Sequence, residues 1–276
     1  MDGFTTRRIT MQAGPEQEVL TGGHGPTMVW LHGVRRSAAD DPVIGALAER
    51  FAVVAPQIPG RADLAELDDL RDIHDLALHY DSLFEALGLD QLTLVGHSFG
   101  GMLAAEIAAH TPKRVARLVL ASPMGLWTDA YPVEDLLARP YGRIDELLWR
   151  GSSKPPPESP PLPDAEALYE TVTAVGAVAR YTWPIPDKGL RRRLHRICAR
   201  TLVLFGQDDA FVPSRYGAEF EAAIAGAQAR IIPGSHMAPY EQPQAFAGMV
   251  EAFAGNENQP LIPAKAGIQS PPRDER

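Results

Sequence analysis

The chain has 276 residues, 45% hydrophobic and 22% charged, with one cysteine and a formal net charge of −9. Length and composition fit one α/β domain with a substantial core, with room for an inserted subdomain. The acidic balance argues against a nucleic-acid or anionic-membrane surface, and the lone cysteine excludes an intrachain disulfide framework.

The first residues, Met1 to Arg8, lack the apolar core of a signal peptide, and no run approaches the ~20 apolar residues that span a bilayer. The expected location is therefore cytoplasmic. Two short strands are expected near residues 5–20, followed by a turn cluster at Gly22–Pro26. Thr27–Leu31 reads as a buried strand ending at His32-Gly33. Residues 42–50 have helical spacing, with Asp40 or Asp41 as N-cap. Phe51–Pro56 is the next strand, and a helix spans about Leu70 to Leu87. Leu92–Val95 and Arg117–Ser122 are strands on either side of a helical run after Gly101. Between Met124 and His195 the alternation breaks. This stretch holds Trp127, Trp149, Trp183 and a proline-rich segment, Ser152–Pro163. It reads as a helical insertion. Thr201–Gly206 and Ala229–Pro233 are the last strands, and Phe246–Phe253 belongs to a final helix. Beyond Gly255 the composition is that of a disordered tail. Strands alternating with helices, each strand apolar without polar alternation, imply a mostly parallel sheet covered on both faces.

Gly96-His97-Ser98-Phe99-Gly100 lies between a strand and a helix, the context in which a G-x-S-x-G turn presents a serine hydroxyl at a tight corner. Such a hydroxyl is a feeble nucleophile without a base, and the base needs an orienting acid. Both follow in the order acid, then base, each just after a strand. Asp209 lies in Gly206-Gln207-Asp208-Asp209, with Asp208 as the neighbouring alternative, and His236 lies in Gly234-Ser235-His236. Two backbone N–H groups suit the oxyanion: Phe99, at the start of the helix, and Val34, after His32-Gly33.

On these four motifs the chain resembles the α/β-hydrolase superfamily, in its capped serine-esterase-like group, over about residues 7–254. The resemblance implies the α/β-hydrolase fold: a mostly parallel central sheet flanked by helices, with a helical cap insertion after the sixth strand. The implied division is core 1–123, cap 124–195, core 196–254 and tail 255–276. The aspartate-nucleophile members are set aside by Ser98. Two loops depart from the usual pattern. Val34-Arg35-Arg36 follows His-Gly, where a glycine or aromatic is more usual, and Gln57-Ile58-Pro59-Gly60 stands where many relatives have Asp-x-Pro-Gly.

The resulting expectation is a serine hydrolase of a small or medium, largely apolar carboxylic ester, needing no cofactor. Ser98, Asp209 and His236 would be catalytic. His97, Arg36, Trp127, Trp183 and Met237 would face the substrate. Alternatives with the same residues are lactone opening, carbon–carbon bond hydrolysis, perhydrolysis, acyl transfer, or a non-catalytic ligand receptor. Carbon–carbon hydrolases of this fold usually carry a tryptophan after the histidine, where this chain has Met237. Cys198 reads as a buried thiol; His74, His79, His110 and His195 read as surface or edge residues. No histidine pair has metal-ligand spacing with carboxylates, so no metal is expected.

Overall fold

The computed structural model describes residues 3–12, 14–35, 37–60, 64–140, 143–152 and 165–255, with backbone only for 165–168. The proline-rich stretch 153–163, Arg36 and the tail from 256 lie outside the described residues.

Eight strands form one sheet: β1 (Thr5–Ile9), β2 (Gln17–Gly23), β3 (Thr27–Leu31), β4 (Ala52–Pro56), β5 (Leu92–His97), β6 (Val115–Ala121), β7 (Arg200–Gly206) and β8 (Gln228–Ile232), in the spatial order β1-β2-β4-β3-β5-β6-β7-β8. The first two strands pair antiparallel, and β2 joins β4 antiparallel; every other pairing is parallel. The central β5 is buried at all its positions, which is why its sequence shows no polar alternation.

The helices are α1 (Pro42–Ala48), α2 (Ile73–Ala86), α3 (Phe99–His110), α4 (Ile144–Leu148), α5 (Ala165–Thr182), α6 (Tyr216–Ala223), α7 (Ala238–Glu241) and α8 (Pro243–Gly255). Asp41 caps α1, its Oδ1 accepting from the Val43 and Ile44 N–H groups at 2.8 and 3.3 Å, with Pro42 in the first turn. Asp72 does the same for α2, so that helix begins at Ile73 and not at Leu70. α3 lies against β5 and β6 and is backed by α2; α1 lies against β4 and is backed by α8. Phe99 to Ala109 of α3 are all buried, so this helix has no polar face.

The chain leaves β3 toward β4 on one side and returns to β5 on the other. The crevice beyond the carboxyl ends of β3 and β5 is therefore the switch point where open α/β sheets bind ligands. Residues 122–199 connect β6 to β7; among the described residues they contain α4, α5 and the 3-10 turns Leu190–Arg192 and Leu194–Arg196.

Two expectations are corrected by the packing. His79 is buried, 6% exposed, because it sits on the inward face of α2 beside Leu76, Tyr80 and Leu83. Its Nε2 meets Gln17 Oε1 of β2 at 3.0 Å. Cys198 is exposed; it follows the last 3-10 turn, two residues before β7 begins. None of the described helices is long and apolar enough to cross a membrane.

Candidate active site

Ser98 stands between β5 and α3 with φ 58° and ψ −119°, a strained backbone for a residue with a Cβ. The strain is held by its surroundings. Its N–H donates to the Ala121 carbonyl at 2.9 Å, and its carbonyl accepts from Met102 and Met124 N–H, both at 3.1 Å. Gly100 permits the turn: a Cβ there would lie 2.1 Å from the Leu31 carbonyl oxygen.

Two loops reach this corner from β7 and β8. His236 Nε2 lies 2.9 Å from Ser98 Oγ, and His236 Nδ1 lies 2.9 Å from Asp209 Oδ2. The other carboxylate oxygen of Asp209 accepts from Phe211 and Val212 N–H at 3.0 and 2.9 Å, which locks the carboxylate in place. Asp208 is exposed. The two loops are bonded to each other through Gln207 N–H to Ile232 O (2.8 Å) and Asp208 N–H to Gly234 O (2.9 Å). Glu241 secures the base loop, accepting from the Ser235 N–H at 2.9 Å and from its hydroxyl. Phe211 packs edge-on against the His236 ring, centroids 4.9 Å apart.

His97 does not line the cavity described below. It is buried beneath His236, rings 5.0 Å apart, and its Nε2–H donates to the His236 carbonyl oxygen at 2.9 Å. Burial, and then the His236 imidazole, push its pKa down to about 3, so it stays neutral. Met237 is likewise buried, its N–H donating to Ser235 Oγ at 3.1 Å, and it helps to hold the loop without facing the cavity described below. Arg36 is outside the described residues, whereas Arg35 pairs with Asp145 of α4 at 3.4 Å.

The loop after β3 covers the serine. A Cβ on Gly33 would stand 3.0 Å from Ser98 Cβ and 3.5 Å from its Oγ. His32 fixes this loop: Nδ1–H donates to Gly33 O at 2.7 Å, and Nε2 accepts from Ile58 N–H at 3.1 Å. Val34 follows directly, and Phe99, next to the serine, opens α3. The arrangement can deprotonate an alcohol toward an imidazole whose tautomer a carboxylate sets.

Trp127 and Trp183 line a cavity of about 150 Å³ beside this site. It touches the site's own supports, Met124 and Phe211, and is otherwise walled by the β6–β7 connection, including Val133, Leu136, Val175 and Val178. Trp127 and Trp183 are the two walls that the sequence singles out; apart from Phe211, the lining residues all fall within residues 124–186, inside the expected insertion.

A second polar cluster lies elsewhere. His74 of α2 and Glu106 and His110 of α3 bring ligand-type atoms within 4.8 Å, which corrects the expectation from spacing alone. Glu106 is already committed: Arg193 Nε and Nη2 reach its two carboxylate oxygens at 2.8 and 2.7 Å. A cation would have to displace that guanidinium. The cluster is a buried ion pair beside an imidazole pair whose nitrogens are 3.0 Å apart.

Residues 28–249 match the alpha/beta hydrolase family. The 2-hydroxy-6-oxo-6-phenylhexa-2,4-dienoate hydrolase of Burkholderia cepacia is 27% identical over 273 residues, covering 85% of this chain and 89% of that protein. Carboxylesterase CesB of Bacillus subtilis superposes with a TM-score of 0.71 at 22% identity, covering 91% of this chain and 92% of that one. The meta-cleavage product hydrolase CumD of Pseudomonas fluorescens IP01 gives 0.70 at 20% identity, with 91% and 98% covered. At these identities the two structural likenesses establish the fold.

Proposed function

Because the chain belongs to the alpha/beta hydrolase family, we propose that it is a serine hydrolase that cleaves a small or medium, largely apolar carboxylic ester through an acyl-enzyme. The observation that carries this reading is the continuous chain Asp209–His236–Ser98, with both links at 2.9 Å. Ser98 Oγ attacks the carbonyl carbon while His236 Nε2 takes the hydroxyl proton. Asp209 keeps the remaining imidazole proton on Nδ1 and stabilises the imidazolium. The oxyanion lies between the N–H groups of Phe99 and Val34, each such donor lowering the barrier by about 3 kcal/mol. His236 then protonates the departing alcohol, and water activated by the same nitrogen releases the acid. The 124–195 insertion acts as the cap that walls the substrate cavity.

Carbon–carbon bond hydrolysis is the second reading, favoured by the named activity of the Burkholderia relative. Met237 in place of the tryptophan usual after the histidine speaks for the ester reading. A p-nitrophenyl ester panel, with fluorophosphonate labelling of wild type and Ser98→Ala, tests the proposal. Turnover and labelling that vanish in the variant are expected. A folded wild type that neither turns over any ester nor labels would leave a ligand receptor on this scaffold.

A further inference from the structure

Resting on the serine-hydrolase reading, we infer that the cavity beside Ser98 sorts substrates by charge: it takes one uncharged group about the size of a benzene ring and rejects a carboxylate. Its volume, about 150 Å³, matches that of an apolar protein cavity that admits benzene. Its inner wall is aliphatic and aromatic: Met124, Val133, Leu136, Val175, Val178 and Phe211. All six are buried, at most 6% exposed.

The hydroxyl and carboxylate side chains that line it are committed elsewhere. Thr182 donates its hydroxyl to the Val178 carbonyl at 2.9 Å. Asp135 accepts from the Leu137 and Ala138 N–H groups at 2.8 and 3.3 Å. Glu134 is held by Arg139 at 2.9 Å and by Arg150 at 3.7 Å. Among the described residues that line the cavity none is basic, and two are acidic. A carboxylate entering there would shed water and find no cation among the lining residues, the nearby Arg139 and Arg150 being engaged by Glu134. The dienoate named for the Burkholderia relative carries such a carboxylate; the wall chemistry here suits a neutral aryl or short alkyl group. Leu137 and Trp183, 38% and 59% exposed, form the mouth.

The test is binding, independent of turnover. Benzyl alcohol and benzoate differ in charge at nearly constant size, and Trp127 and Trp183 on the cavity wall report occupancy by fluorescence. In Ser98→Ala, saturable binding of benzyl alcohol is expected at least about 30-fold tighter than benzoate. Val178→Phe, which fills the cavity, should abolish it. Since that change can also disturb folding, Leu137→Arg at the exposed mouth is the second variant, expected to raise benzoate affinity about 10-fold relative to benzyl alcohol. Equal or tighter binding of benzoate by Ser98→Ala, or no saturable signal from either ligand, overturns the inference. An ester panel without turnover would sink the ester-hydrolase reading and leave this binding result standing.

Discussion

Replacing Asp209 with asparagine inverts one tautomer without moving a heavy atom. Oδ1 of Asp209 accepts two backbone N–H groups, from Phe211 and Val212. In Asp209→Asn the amide oxygen must keep that place, because an NH2 there would face two donors. The amide nitrogen then points at His236 Nδ1, 2.9 Å away in the parent. As a donor, it forces Nδ1 to accept and moves the imidazole proton to Nε2. The nitrogen 2.9 Å from Ser98 Oγ then carries a hydrogen and cannot take another. The corresponding change in a serine protease lowers kcat about 10,000-fold, or about 5.5 kcal/mol of barrier at 1.36 kcal/mol per tenfold. The assay is steady-state hydrolysis of p-nitrophenyl butyrate across pH, with a melting curve beside it. The expected result is that loss in kcat at neutral pH, partly recovered at high pH, with KM nearly unchanged. A folded variant within tenfold of wild type would refute the reasoning, and with it Asp209 as the partner of His236.

Arg193→Ala strands the fully buried Glu106 carboxylate and should cost about 3–5 kcal/mol in urea unfolding; pairing it with Glu106→Gln should recover part of that. Burial pushes His79 down to about 4 from 6.5, so the unfolded chain binds a proton there that the folded chain does not. Its contribution is complete above pH 6.5 and falls by about 3 kcal/mol on acidification to pH 4; His79→Gln should flatten that slope in denaturation at fixed pH values. Asp41 has the opposite sign, since burial raises its carboxyl from 3.8 to about 6. Stability therefore rises as pH falls through that window, and Asp41→Asn, which keeps a cap, should remove the rise. Gly100→Ala drives a Cβ to within 2.1 Å of the Leu31 carbonyl, so a stability loss of about 3 kcal/mol or more is expected, read as a lower unfolding midpoint or loss of folded protein.

Local chemistry was legible where one stretch carries it. The strands buried on both faces show as unbroken apolar runs, and the turn at Ser98 is marked by the glycines that let backbones approach. Asp41 was one of two adjacent carboxylates offered as a cap, and the bonds to Val43 and Ile44 single it out. Asp208 and Asp209 posed the same ambiguity. A sequence cannot tell which of two neighbours points inward; the turn made by Asp209 with Phe211 and Val212 decides it. What depends on distant packing was not legible. His79 looks polar until Gln17 arrives from β2, and the meeting of His74 with His110 joins two helices. Cys198 has the apolar neighbours of a core thiol, yet the chain turns just before it. Of the cavity the sequence marks only Trp127 and Trp183 within the insertion; its shape depends on how that stretch folds against Phe211.

The close approach of the β7 and β8 loops carries a last consequence. A Cβ on Gly206 would fall 2.1 Å from the Ser235 carbonyl, so these loops touch backbone to backbone. Acid and base thus ride on one stiff platform, while the alcohol belongs to a different strand. If the sheet were to loosen between β5 and its neighbours, the carboxylate and imidazole would leave together, still bonded. Besides the bond from Ser98 to His236, that separation is resisted by the grip of His97, the residue next to the nucleophile, on the carbonyl of His236. The spacing between alcohol and base is therefore gauged by an imidazole outside the Asp209–His236–Ser98 chain.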